Sequence, residues 1–396
     1  MKAKNYLSFT NINHLSEIFL ILSVLIFFFI PDGILSFYSK NIAVYLCSIC
    51  YFILSLFVKT GRSQLRQREL IFTLGFLSFF CIYFSLTPFS IEDLSRSLKV
   101  CLPILIILIS STLNSSSPLR ALRKLIMFAL VLNIFISLAQ LVAPDFRLFK
   151  YFALNMSSKH LQNLYYRPIG IFGNPTYAGF VCFSMLISTK ESSHLGLQIK
   201  ILSLLSVVLH SNKVTLALSI VYIFVKLKNE IKKTATIVLK RSNYFLVFSL
   251  GIPIIYVMYK FFNLHIIPFL KNLIFSEEIP FTISYRINLL LRLYNEYLFD
   301  NIHSLFLGSK YKDLIPTFVD NQPILIALRY GILLSIAFHI SVFYLIITNK
   351  IVSQFELLLW SVTCLTMLPF YHFKYTFSLL IMTLLSKDPR DSSDLS

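Results

Sequence analysis

Twelve apolar runs recur along this chain, separated by polar breaks. They fall at approximately 17–37, 41–58, 70–86, 98–113, 125–143, 169–188, 197–210, 213–227, 243–261, 321–347, 355–371 and 374–386. A helix that crosses a bilayer needs about 20 consecutive apolar residues. The seventh, eighth and twelfth runs are short against that length. The pattern predicts an all-α, polytopic integral membrane protein of about twelve transmembrane helices, with 1–396 as a single transmembrane domain. The first run is too long for the apolar part of a signal peptide, and no small-residue cleavage site follows it. It reads as a retained first span.

Two breaks are the longest, 144–168 and 262–321, the second lying between the ninth and tenth runs. Inside the second, Ser284 to Leu298 carries Ile287, Leu290, Leu291, Tyr294 and Leu298 at helical spacing, with Arg292, Asn295 and Glu296 on other faces. That predicts an amphipathic helix lying along the membrane surface. The tail at 387–396 is short and polar. No internal repeat is visible, so the repeat signature of many transporters is missing.

Composition sharpens the class. Residues are 56% hydrophobic and only 14% charged, against roughly 25% charged in soluble domains. Such a chain cannot cover itself with polar surface, so lipid is its expected solvent. The net charge of +18 would suggest nucleic acid in a soluble protein. Here much of it sits in short loops that alternate to one side: Lys2 and Lys4; Lys59, Arg62, Arg66 and Arg68; Arg120, Arg123 and Lys124; Lys226, Lys228, Lys232, Lys233, Lys240 and Arg241. Topology and attraction to anionic membrane lipids account for that pattern, and no nucleic acid is implied. The basic side is then cytoplasmic, both termini lie inside, and 144–168 and 262–321 face outward. All six cysteines fall within apolar runs, which argues against redox or disulfide roles, the Cys47–Cys50 pair included.

The outward side holds the candidate chemistry. Tyr165 to Gly179 mixes glycine and proline at the mouth of the sixth run, a composition that permits a broken helix lining a polar cavity. Arg167 stands at the water-facing end of that break. It is either a side chain snorkelling to headgroups or an anion site for a phosphate. Lys213, in the Ser211-Asn212-Lys213 turn, is either an exposed turn lysine or a second cation of that site. In the long loop, Arg286 precedes the amphipathic stretch, and His303 is either a surface residue or a base. Asp320, where the loop meets the tenth run, suits an N-cap, a general base for a hydroxyl, or both. Arg329 lies one or two turns into that run, as a functional cation or a structural partner of Asp320. Cations neutralise a leaving pyrophosphate and a carboxylate activates an acceptor hydroxyl. Those are the needs of glycosyl transfer from a polyprenyl pyrophosphate donor. No Asp-x-Asp or carboxylate cluster calls for a metal, and no cofactor is implied.

These residues resemble a known family. Arg167-Pro168-Ile169-Gly170-Ile171-Phe172-Gly173-Asn174-Pro175 resembles the R-x-x-G-x-F-x-N-P stretch of the O-antigen polymerase and O-antigen ligase superfamily. Ser211-Asn212-Lys213 resembles its Ser-Arg/Lys turn, and Ser284-Tyr285-Arg286 the arginine opening a helix in its large periplasmic loop. Gly331, ten residues beyond Asn321, resembles the end of the ligase loop pattern. Asp320 stands where ligases carry the histidine implied to activate the lipid A core, which favours a polymerase. The resemblance implies a GT-C-like, metal-independent glycosyltransferase of the bacterial inner membrane, working on its periplasmic face. Donor and acceptor would be undecaprenyl pyrophosphate-linked glycans, with a chain-length regulator as partner. Arg167 and Arg286 would bind the donor pyrophosphate, assisted by Lys213 and Arg329. Asp320, with His303 as the weaker candidate, would be catalytic. The alternatives are a ligase that transfers glycan to lipid A core and, from another class, a lipid-linked oligosaccharide flippase.

Overall fold

The computed structural model describes residues 2–31, 34, 37–59, 116–143, 145–152, 168–190, 194–210, 212–234, 288, 291, 306, 308, 322–364 and 373–387. Among these residues every regular element is a helix. The α-helices are α1 (Lys2–Phe29), α2 (Phe37–Lys59), α3 (Ser116–Val142), α4 (Pro175–Ser188), α5 (His194–His210), α6 (Lys213–Thr234), α7 (Gln322–Tyr330), α8 (Ile332–Thr348), α9 (Gln354–Cys364) and α10 (Phe373–Ser386). Short 3-10 turns cover Arg147–Phe152 and Gly170–Phe172. The runs expected at 70–86, 98–113 and 243–261 lie outside the described residues. Of the helix expected at 284–298, Asn288 and Leu291 are described, and both are helical and exposed.

The chain divides into two compact units, Met1–Ser219 with Phe338–Ser396, and Ile220–Ala337. In the first, α1 and α2 pack along each other, and α4 packs against α5 and α10. All residues of α4 except Thr176 and Tyr177 are buried, so it is the central helix of this unit. On one side Trp360 of α9 donates from its indole to the Ser184 hydroxyl at 3.1 Å.

Hydrogen bonds fix the helix directions. Arg123, near the start of α3, donates from Nη2 to the carbonyl oxygens of Leu385 (2.8 Å) and Lys387. The Lys190 N–H, just beyond α4, reaches the same Leu385 carbonyl at 3.5 Å. So α3 begins where α4 and α10 end. At the opposite end, Phe27 near the close of α1 lies 4.3 Å from the Phe377 ring and 6.3 Å from Phe172. That second end, where α4 starts, is the mouth of the unit. Arg123 was expected in a short loop; instead it lies within α3 and is fully buried. Its charge there complements the negative C-terminal end of α10.

The exposure pattern of α3 is inverted relative to a soluble helix. Phe128, Val131, Phe135, Leu138 and Val142 recur every three or four residues and are exposed, Phe135 by 72%. The buried stripe carries Arg123, Asn133, Ser137 and Gln140 among apolar neighbours. A soluble helix turns its apolar stripe inward; polar groups facing the interior and apolar groups facing out are compatible with a helical membrane protein. Leu15, Ile18, Leu22 and Leu25 of α1, and Leu333, Ile336, Ile340 and Ile347 of α8, form similar exposed stripes. Among the described residues, one helix is long and apolar enough to cross a membrane: Leu119–Val142 in α3, with mean hydropathy 2.5. Only 33% of its most apolar stretch is buried, unlike the core helix of a soluble protein. Six further apolar helices are 10–17 residues long, shorter than the roughly 20 that a straight crossing needs.

Two expected spans have different boundaries. The first, placed at 17–37, is a helix from Lys2 to Phe29. It stops before Pro31, consistent with the bias of a residue preceding proline away from helix. The tenth, placed at 321–347, is two helices meeting at Gly331, whose φ is +94°. The Ser335 hydroxyl donates to the Pro323 carbonyl at 2.8 Å across twelve residues of sequence. A continuous helix would hold those residues about 18 Å apart, so α7 folds back sharply on the start of α8. Only glycine enters the left-handed region without strain.

Lipid exposure of the α3 stripe is directly testable. With Trp360 replaced by phenylalanine, a Phe135→Trp reporter should be quenched by brominated acyl chains and shielded from aqueous acrylamide. The reverse result would place this stripe in water.

Candidate functional site

The mouth of the first unit is built around a break in the helical path into α4. Gly170–Phe172 forms one 3-10 turn, and Gly170 and Gly173 take φ of +54° and +72°. Asn174 then caps α4: its Oδ1 accepts from the Thr176 N–H at 2.7 Å, with Pro175 at the first helical position. Proline suits that position because its missing N–H would have no intrahelical partner. The Gly/Pro-rich composition of Tyr165–Gly179 thus corresponds, over its described part, to a broken entrance.

A break strands backbone groups that a helix would have paired, and here three interior side chains receive them. Gln140 Oε1 accepts from the N–H groups of Ile169 and Gly170, both at 2.9 Å. Asn133 Oδ1 accepts from the Ile171 N–H at 3.1 Å. His210, at the end of α5, lies with Nδ1 2.8 Å from the Pro168 carbonyl and Nε2 2.9 Å from Asn133 Nδ2. A carbonyl offers only lone pairs, so Nδ1 carries the hydrogen and Nε2 accepts from the Asn133 amide. Asn133 Nδ2 also reaches the Ser206 hydroxyl at 3.3 Å. Asn133, Gln140 and His210 are all fully buried.

The packing is close. A Cβ on Gly170 would overlap Asn133 Oδ1 and come within 2.8 Å of His210 Cε1 and 3.0 Å of Ser137 Oγ. Ser137 Oγ and Gln140 Nε2 are buried without a hydrogen-bond partner. A second contact ties the 212–213 turn to the same end. A Cβ on Gly179 would lie 2.8 Å from both Asn212 Cβ and Thr215 Oγ1. Asn212 caps α6, with Oδ1 accepting from the N–H groups of Val214 (3.1 Å) and Thr215 (3.3 Å).

The chain matches no protein-family model, no curated protein and no solved structure.

Among the expected site residues, Arg167, Arg286, His303 and Asp320 lie outside the described residues. Lys213 is exposed as the first residue of α6, at the mouth of the first unit. A cation at a helix N-terminus opposes the helix dipole, so Lys213 is not placed there to stabilise α6. Arg329 belongs to the second unit. It is buried in the last turn of the short helix α7 rather than within a continuous span. A cation there complements the dipole of α7. Gly308, at φ +81°, packs directly on that turn: a Cβ would overlap the Arg329 carbonyl and lie 2.7 Å from Tyr330 N.

Asn133, Gln140 and His210 escaped the sequence reading. Their signal was present as Asn133-Ser137-Gln140 and Ser203-Ser206-His210. Each set repeats at helical spacing on one face of an apolar run, which marks a bundle-facing stripe.

Two substitutions separate these contacts. Gly170→Ala should lower stability by at least about 2 kcal/mol, since a left-handed alanine alone costs roughly 1–2 kcal/mol. Ser137→Ala should not lower it, because the buried hydroxyl has no partner to lose and its unpaired burial is itself costly. Thermal unfolding in detergent reads both, and equal midpoints for the two variants would contradict this packing.

Proposed function

We propose that this chain is a bacterial inner-membrane polysaccharide polymerase of the O-antigen type. It would join undecaprenyl pyrophosphate-linked repeat units by glycosyl transfer on the periplasmic face. In this reading the chain crosses the membrane about twelve times, with both termini in the cytoplasm and the mouth facing the periplasm.

The observation that carries the reading is the form of the Arg167–Pro175 stretch. Its described part is a helix break at one end of the first unit, tied to three buried side chains, with the Lys213 turn packed one helical turn away. An interior that keeps such a break spends buried polar groups on it, and glycosyl transfer from a pyrophosphate carrier gives it a use. The positive end of α4 opens at the break. Arg167, Arg286 and Lys213 supply charge for the leaving pyrophosphate, with Arg329 assisting.

The step itself needs little else. The acceptor hydroxyl oxygen bonds to the anomeric carbon of the growing glycan as the bond from that carbon to the pyrophosphate oxygen breaks. The electron pair of that bond leaves with the pyrophosphate. Asp320, or His303 in its place, takes the hydroxyl proton. Charge neutralisation of the departing group lowers the barrier electrostatically.

The test is the surface polysaccharide ladder of a deletion strain. Unaltered protein should restore full-length polymer, whereas stably produced Arg167→Ala or Arg286→Ala should leave a core capped by one repeat unit. Full-length polymer from both variants would refute the site. Polymer held on its carrier with none on the core would indicate a ligase, and transport of the lipid-linked unit without elongation a flippase.

A further inference from the structure

Helices of a membrane bundle satisfy their backbone internally, and that is the least costly path through an apolar interior. This chain departs from it at Pro168–Asn174 and then commits three long polar side chains to repair the departure. Asn133, Gln140 and His210 are each fully buried on otherwise apolar helices, where unpaired polar groups are destabilising. Four of their hydrogen bonds go to backbone groups of four consecutive residues: the Pro168 carbonyl and the N–H groups of Ile169, Gly170 and Ile171. A fifth couples Asn133 to His210, so the clasp on α3 and the clasp on α5 are one network. A continuous helix would need none of them. What the clasp secures is the geometry of the break, at the start of α4 and immediately after Arg167.

From this we infer that Asn133, Gln140 and His210 are positioning residues for the pyrophosphate site. They act through the backbone they hold, fixing the segment that joins Arg167 to the positive end of α4. The inference rests on the polymerase reading. A loosened clasp misplaces the charge that neutralises the leaving group, so turnover suffers more than substrate affinity.

His210 makes the inference testable because its two ring nitrogens have opposite duties. Glutamine reproduces both, a donor for the Pro168 carbonyl and an acceptor for Asn133, whereas leucine reproduces neither. The measurement is elongation of lipid-linked repeat units by purified protein in detergent, with kcat, KM and thermal midpoint recorded together. His210→Leu should lower kcat at least ten-fold with KM changed less than three-fold, and His210→Gln should recover most of the loss. In an Arg167→Ala background, His210→Leu should add less than a two-fold further loss, because both changes disable one device.

Unchanged kcat in a folded His210→Leu protein would overturn the inference, and so would a full additional loss on top of Arg167→Ala. Should His210→Leu fail to fold, Gln140→Met strands the Ile169 and Gly170 N–H groups and gives the same readout. If neither variant folds, the clasp serves stability and the inference falls. No elongation by the unaltered protein would sink the polymerase reading and this inference with it, whereas failure among the variants alone sinks only the inference.

Discussion

A backbone N–H or C=O that is buried away from water has to find its partner inside the protein. Helices meet that demand residue by residue, so any interruption must be repaired by something else. In this chain the interruption is Pro168–Asn174, and the repair comes from Gln140, Asn133 and His210. The positions of α3 and α5 around α4 follow from that exchange. Asn133 has to stand within reach of both His210 and Ile171, so the ends of α3 and α5 are held together at the mouth. Gly170 completes the arrangement because no side chain fits between Asn133, Ser137 and His210.

The opposite end of the unit obeys the same demand with a different group. The last carbonyls of α10 have no intrahelical donor, and Arg123 supplies one from α3. One helix, α3, therefore closes a break at the mouth with neutral amides and a helix end at the far side with a guanidinium. Between these points its outward face is wholly apolar at Phe128, Val131, Phe135 and Leu138. Along this helix the polar side chains at Asn133, Ser137 and Gln140 face the interior.

Much of this was legible in the apolar runs. Five of the expected spans coincide closely with helices or parts of them, including 41–58 with α2 and 374–386 with α10, and the described part of 355–371 is helical. The run at 169–188 carried its own warning in Gly170, Gly173 and Pro175, and the chain breaks there. The run at 321–347 carried a weaker one. Gly331 is a single glycine in an apolar stretch, and only its positive φ and the Ser335–Pro323 bond reveal the turn. Hydropathy averages over such a residue because it senses transfer energy and not backbone geometry. Arg123 was misplaced for a related reason: a basic residue at the start of a run reads as loop charge, whereas its partners lie more than 260 residues away. The clasp was invisible to a search for charge, since it works through neutral amides and an imidazole.

The two described cations of the expected site show why position relative to a helix matters more than depth in an apolar run. Arg329 looked the more functional because it interrupts a hydrophobic stretch. Its place in the last turn of α7 is one that the helix dipole favours for any cation. Lys213 looked the more ordinary because it occupies a turn. Yet it opens α6, where the dipole disfavours a cation, and the neighbouring Asn212 already satisfies the first N–H groups. The turn is also packed against Gly179 of α4 so closely that no side chain intervenes.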